Sequence, residues 1–206
     1  MVYISIGSAC NVKYQIDKHK HKLETLFFDW LMTSMNSVIE ILSCNDIYSI
    51  LYFDNIIRDI NYPYHSNNSQ IIIKSLNRCV SIHDISRNFT DKDIFEFIDK
   101  YKRRFDRIIQ YIKSKEKIYF IRYGSVDTND REKFIETILK INPNCNFALI
   151  IIDNIYNAND TNNTNNILKY EHCLYIKLNI NKPQNSDWHT DYLNWTKIFL
   201  DIENNI

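Results

Sequence analysis

Hydrophobic and polar positions divide the chain into short segments of changing period. Val2-Tyr3-Ile4-Ser5-Ile6 is a β-prone run that stops at Gly7-Ser8, and Cys10-Asn11 open a helix reaching about Lys18. From Glu24 to Ile60 the apolar spacing is helical in pieces. Phe27-Phe28-Asp29-Trp30-Leu31 form an aromatic cluster there, and Ser34 or Asn36 caps a helix over Ser37 to Cys44. Residues 61 to 69, with Pro63 and Asn67-Asn68-Ser69, read as a loop. Gln70 to Lys74 and Arg78 to Ile82 read as two short strands, the second ending at His83-Asp84.

The strongest helical pattern spans Asp91 to about Ser114. Thr90 is its N-cap, and Ile94, Phe97, Ile98, Tyr101, Phe105, Ile108, Ile109 and Ile112 recur every three or four residues, so one face is expected to be buried. Lys117 to Tyr123 then reads as a strand and Asp130 to Leu139 as a helix. Asn146 to Ile152 and Cys173 to Leu178 read as strands, and Asp191 to Ile202 as a closing helix. Asn154 to Asn166 has neither periodicity nor much apolar content and reads as a surface loop. Strands alternating with helices, one strand apolar almost throughout, predict a mainly parallel, Rossmann-like sheet with helices on both faces. The expected architecture is a single three-layer α/β domain over residues 1–206.

Composition narrows the chemistry. The 206 residues carry 25 basic and 25 acidic side chains, which argues against bulk electrostatic capture of nucleic acid or an anionic membrane. Two glycines, Gly7 and Gly124, cannot write a GxGxxG or a P-loop motif. Five cysteines without a CxxC pair suggest neither a disulfide framework nor a zinc cluster, so neither a cofactor nor a metal is expected. No apolar run is long enough to span a bilayer and no signal peptide precedes the first strand, so a cytoplasmic chain is expected. The abundance of Ile, Asn, Lys and Tyr reflects a nucleotide bias, which devalues motifs built from those letters, Asn-x-Ser/Thr triplets included.

Cys10 is the sharpest chemical candidate. At a strand-to-helix junction, first-turn amides and the helix dipole are expected to stabilise a thiolate, and the same amides could receive an oxyanion. The competing reading makes Cys10 a small hydrophobe that packs the turn. A cysteine nucleophile needs a base. Of the six histidines, His83 and His189 sit at element edges where a ring can be held and still reach a cleft, and the sequence does not decide between them. Lys102-Arg103-Arg104 with Arg107 place a basic run on the long helix. That run reads as a solvated face or, with Arg122 at a strand end, as a phosphate or carboxylate site. The second option would suit a domain binding a sugar nucleotide or another anionic glycan. A non-catalytic interaction module is the third class.

Several ordered motifs amount to a resemblance. They are Ile4 through Ile16 with Gly7-Ser8-Ala9-Cys10, then Phe28-Asp29-Trp30 leading to Ser37-Val38-Ile39, His83-Asp84, Tyr101-Lys102-Arg103-Arg104-Phe105, Ile118 through Arg122, and Asp191 through Trp195. Together they resemble a family of uncharacterised proteins described as papain-like cysteine peptidases. The resemblance implies a cysteine hydrolase acting on an amide or ester of a small-molecule or peptide substrate, with Cys10 as nucleophile and His83 as general base. The acid that orients the imidazole would be Asp29 or Asp84. Asp29 is preferred, because side chains of consecutive extended residues such as His83 and Asp84 diverge. Ser8, Asn11, Arg104 and Arg122 are then the expected substrate-binding residues. The chain has Phe27 where the family pattern leads one to expect a proline. Its predicted element order is also closer to a Rossmann-like sheet than to papain's helix against an antiparallel barrel. A lipase-like reading, with Gly7-Ser8-Ala9-Cys10 as the nucleophile turn and Asp187-Trp188-His189 before the last helix, matches in placement but differs in nucleophile and spacing.

Overall fold

A computed structural model describes residues 1–8, 10–20, 24–59, 70–82, 84, 90–155, 166–179 and 193–205. The chain forms strand β1 (Val2–Ser5), helix α1 (Asn11–His19), β2 (Leu31–Thr33), α2 (Met35–Ser43), β3 (Ile56–Asp59), β4 (Gln70–Ile73) and β5 (Cys79–Ser81). There follow α3 (Asp91–Lys113), β6 (Ile118–Tyr123), α4 (Thr128–Ile141), β7 (Phe147–Ile155), β8 (Asn166–Tyr170), β9 (Cys173–Asn179) and α5 (Trp195–Asn205).

The result is a mixed α/β fold with a mostly parallel five-stranded sheet ordered β1-β6-β7-β9-β8. β1, β6, β7 and β9 run parallel, and β8 joins β9 antiparallel. The pleat sends alternate residues to opposite faces. Ile4, Phe120, Leu149 and Ile151 pack into one core cluster with α2, α3 and α4. Tyr3, Tyr119, Ile121, Ala148, Ile150 and Ile152 pack into another with Val12 and Ile16 of α1 and with Trp195, Ile198, Phe199 and Ile202 of α5. This two-sided burial explains the unbroken apolar run in β7, which cannot alternate with polar residues when neither face meets water.

The apolar repeat in α3 behaves as its spacing predicts: Ile94, Phe97, Ile98, Tyr101, Phe105, Ile108 and Ile112 are buried, and Thr90 and Asp93 form a reciprocal cap at its start. Ser34 caps α2 by accepting from the amide of Ser37 at 3.1 Å.

The sequence reading missed a second sheet. β2-β5-β4-β3 is four-stranded and antiparallel. Two of its strands, β4 and β5, were expected. β2 and β3 lie where helical pieces were read, because segments of three and four residues are too short to display a period of two. β8 was missed too, and its first residue, like Asn154 and Ile155 of β7, falls within the expected loop, whose residues 156–165 lie outside the described set. So do residues 61–69, expected as a loop, and Asp191 and Tyr192, expected to open the last helix, which starts at Trp195. No helix among the described residues is long and apolar enough to cross a membrane.

Candidate functional site around Cys10

The first β-to-α junction is built by two consecutive residues with left-handed backbone, Gly7 (φ 80°) and Ser8 (φ 68°). Only glycine fits the first of these, since a Cβ on residue 7 would fall 1.7 Å from Thr33 Oγ1. Ser8 tolerates its conformation because its hydroxyl donates to the carbonyl of Tyr123 at the end of β6. The turn therefore bridges the carboxyl ends of neighbouring parallel strands, the edge at which α/β sheets gather ligands.

Cys10 is the N-cap of α1 and already has helical angles. The amides of the residues that follow have no preceding turn to bond and are left as potential oxyanion donors. Its half-buried thiol donates to the carbonyl of Trp30 at 3.5 Å. The expectation of a stabilised thiolate needs correction. Burial pushes the Cys10 thiol up to about 11; its own backbone amide pulls the other way, and the charge of Asp84 adds to the rise. With the thiol raised in this way, a reaction through it needs a base at the moment of attack.

The Trp30 carbonyl is presented by the turn over Phe27–Trp30, in which Trp30 has φ 65°. Asp29 fixes that turn from inside. Its buried carboxylate accepts from the Leu26 amide at 2.8 Å and lies 3.2 Å from Nζ of Lys13, itself buried on α1 and 3.0 Å from Asp17. Burial raises the Asp29 carboxyl to about 6, with Lys13 and the Leu26 amide opposing the rise. Asp29 thus connects to Cys10 through the backbone of the next residue.

Asp84 follows β5 and faces α3. Its carboxylate accepts from Ser81 Oγ, from Lys100 Nζ at 2.6 Å and from Tyr101 Oη at 2.6 Å, and Arg104 Nη1 is 3.8 Å away with its guanidinium over the Tyr101 ring. Burial opposes ionisation, but the hydrogen bonds from Lys100, Ser81 and Tyr101 outweigh it and hold the carboxyl below its ordinary range. A groove of about 390 Å³ opens beside it, lined by Asp84, Asp93, Glu96, Phe97, Asp99, Lys100 and Arg103.

Arg122 is engaged with the backbone through Nη1 and Nη2, while its buried Nε has no partner. Its buried guanidinium donates to the carbonyl of Ile6 at 3.0 Å and of Thr33 at 2.9 Å, tying β1 and β2 together. Burial and the nearby Arg78 charge lower its pKa to about 10. We expect Arg122→Lys to lose about 1–3 kcal/mol of stability in urea unfolding, because one ammonium cannot span two carbonyls that water does not reach. A variant as stable as wild type would remove Arg122 from this role.

Of the residues singled out from sequence, Ser8, Cys10, Asn11 and Asp29 share the β1–α1 junction and the turn packed on it; Asn11 is buried, with an unpartnered Oδ1. Arg104 faces Asp84. Arg107 pairs with Glu24 at 2.8 Å, so the basic run is divided among separate partners. His83, Asp187 and His189 lie outside the described residues. The reading missed Lys13, whose i,i+4 spacing to Asp17 was its visible signal, and the convergence of Ser81, Lys100 and Tyr101 on Asp84; Tyr101 stood in the apolar repeat and in a family motif, neither of which shows where its hydroxyl goes.

Comparison with known proteins gives three results. A family model described as "Putative papain-like cysteine peptidase" matches residues 1–155. An uncharacterised protein of Acanthamoeba polyphaga mimivirus is 26% identical over 226 residues, covering 97% of each chain. No solved structure matches.

Proposed function

The chain belongs to this family of papain-like cysteine peptidases, and from that premise we propose a hydrolase that cleaves an amide or ester through the sulfur of Cys10. The observation that carries the reading is the placement of that sulfur: half-buried at the start of α1, on the carboxyl edge of the parallel sheet, beside helix amides able to receive an oxyanion. His83 is the proposed base. Because burial holds the thiol neutral, His83 would take the proton as the sulfur attacks the carbonyl carbon, then return it to the leaving group. Water would cleave the acyl-enzyme by the same route. Asp29 supports the nucleophile by holding the Trp30 turn against it, and Ser8 and Asn11, its neighbours along the chain, are the proposed substrate-binding residues. We read the scaffold as a three-layer, Rossmann-like sandwich, supported by the separate core clusters on the two faces of the parallel sheet.

A chromogenic acetyl ester tests the reading. Wild type should release a burst of alcohol equal to the enzyme present, with the acetyl group on Cys10 by mass spectrometry. Cys10→Ala should abolish the burst, and His83→Ala should slow it by about 10²–10⁴-fold. Cys44 is the internal control: it too is half-buried, but its thiol donates to Ile41 at a helix end. Equal acylation of Cys10 and Cys44 would end the proposal.

A further inference from the structure

A second concavity lies at the opposite edge of the parallel sheet from Cys10, where β7 begins at Phe147 and β9 at Cys173. It is a groove of about 380 Å³ between α4 and the β8–β9 turn. The α4 wall consists of two stripes at four-residue spacing, Arg131-Ile135-Leu139 and Glu132-Glu136, and the other wall is Tyr170-Glu171-His172. Ile135 and Leu139 pack against the core on one side and give the groove an apolar floor on the other.

The turn wall is fixed in place. Tyr170 pairs with Cys173, so Glu171 and His172 are the two residues of a tight hairpin turn, and His172 has the left-handed angle that closes it (φ 54°). The His172 ring stacks on Phe147 with centroids 4.8 Å apart, and its carbonyl accepts from the Leu149 amide at 2.8 Å. Both walls are built before a guest arrives, which spares binding most of the cost of ordering them.

Charge selects the guest. Glu132, Glu136 and Glu171 border the groove, and Lys133 and Lys140, also on α4, do not line it. Arg131 lies with its guanidinium 4.2 Å from the Tyr170 ring centroid and Nη2 3.9 Å from Glu132. Among the described residues neither Glu136 nor Glu171 has an ion-pair partner. An anion would meet three like charges here, and a purely apolar guest would cover carboxylates without answering them. A lysine answers both features, because its four-carbon stem covers apolar surface while its ammonium stays at the charged rim. We propose that this groove docks a lysine side chain of a basic peptide segment, at a site separate from the Cys10 junction and independent of its chemistry.

Fluorescence anisotropy of the full chain with a fluorescein-labelled tetralysine peptide, at low ionic strength, tests the proposal. Wild type and Cys10→Ala should bind alike. Glu136→Gln with Glu171→Gln should weaken binding by at least about tenfold; both glutamates are exposed, so the fold survives the change. Asp54→Asn with Asp106→Asn removes the same charge from exposed positions that do not line the groove and should change affinity by less than about twofold. A tetrapeptide of diaminopropionate, with equal charge on a much shorter stem, should bind at least about tenfold more weakly. Absence of binding by wild type overturns the proposal, as does affinity that survives the paired glutamine changes. Equal losses in the Asp54 and Asp106 control, or equal affinity for the short-stemmed peptide, would reveal attraction to net charge without a groove and overturn it as well. Spermidine that displaces the labelled peptide at equal concentration would give the groove to a free polyamine and overturn the peptide assignment. Loss of tetralysine binding in Cys10→Ala alone would overturn the independence of the two sites.

Discussion

Gly7→Ala is expected to destabilise the protein by about 3–5 kcal/mol, a large part of the 5–15 kcal/mol typical of a domain. Two costs combine. An alanine at φ 80° is strained by about 1–2 kcal/mol, and its Cβ would sit 1.7 Å from Thr33 Oγ1, an overlap that no side-chain rotation at residue 7 can relieve. The costs are separable. Thr33→Ala removes Oγ1 and Cγ2 and leaves Thr33 Cβ, 3.0 Å from the new methyl group, as the nearest obstacle. In that background the same glycine substitution should cost about 1–2 kcal/mol, and the double-mutant cycle read from urea midpoints should show coupling of at least about 1 kcal/mol. Cys10 reactivity should fall in step with stability, because the turn that the overlap displaces is the one that carries the sulfur. A Gly7→Ala variant within about 1 kcal/mol of wild type would show that the junction is not packed on β2 in this way.

That packing explains what the sequence could and could not disclose. Gly7-Ser8 before Cys10 announced a tight turn, because one glycine between a β-run and a helix pattern has few other uses. Its contact partner was hidden, since β2 has only three residues and takes its identity from pairing with β5, almost 50 positions away. Long elements with a clear period were legible to within a few residues, α3 above all. The antiparallel sheet was only half legible, because short strands are defined by hydrogen bonds to distant chain and not by their own pattern.

The site followed the same rule. Cys10 could be picked out because its element boundary is local information, whereas its ionisation could not. The helix start argued for a lowered pKa, yet three-dimensional burial and Asp84, 74 positions away, decide the other direction. The surroundings of Arg122 were hidden for a related reason. A strand-end arginine looks the same in sequence whether it grips an anion or two carbonyls. Only the approach of β1 and β2 shows that Nη1 and Nη2 donate to Ile6 and Thr33.

Lys13→Met should cost about 3–5 kcal/mol at neutral pH, the usual result of stripping one partner from a buried ion pair. Lys13 is 3% exposed and Asp29 1%, so water cannot replace the lost ammonium, and Asp17 has no attraction to offer a second carboxylate. The pH dependence identifies the cause. Asp29 already has its folded pKa raised, to about 6 from 3.8. A carboxyl raised in the fold lowers stability as pH climbs through the window between those values, and the penalty is complete above the folded value. Without Lys13 the folded pKa must rise further, so the variant pays over a wider range and recovers stability first as the solution is acidified. Its deficit against wild type, measured by urea unfolding, should therefore shrink by about 1–1.5 kcal/mol between neutral pH and about pH 5, where Asp29 is protonated in both proteins, and stay level below that. Lys13→Met with Asp29→Asn should remove this pH-dependent part of the deficit at neutral pH, because the stranded charge is then gone while the amide oxygen can still accept from Leu26. The Trp30 carbonyl would stay in place, and Cys10 should regain wild-type alkylation in the double variant but not in the single one. A deficit that does not change with pH would assign the cost to lost packing of the lysine stem, and would release Asp29 from its part in holding the turn against the sulfur.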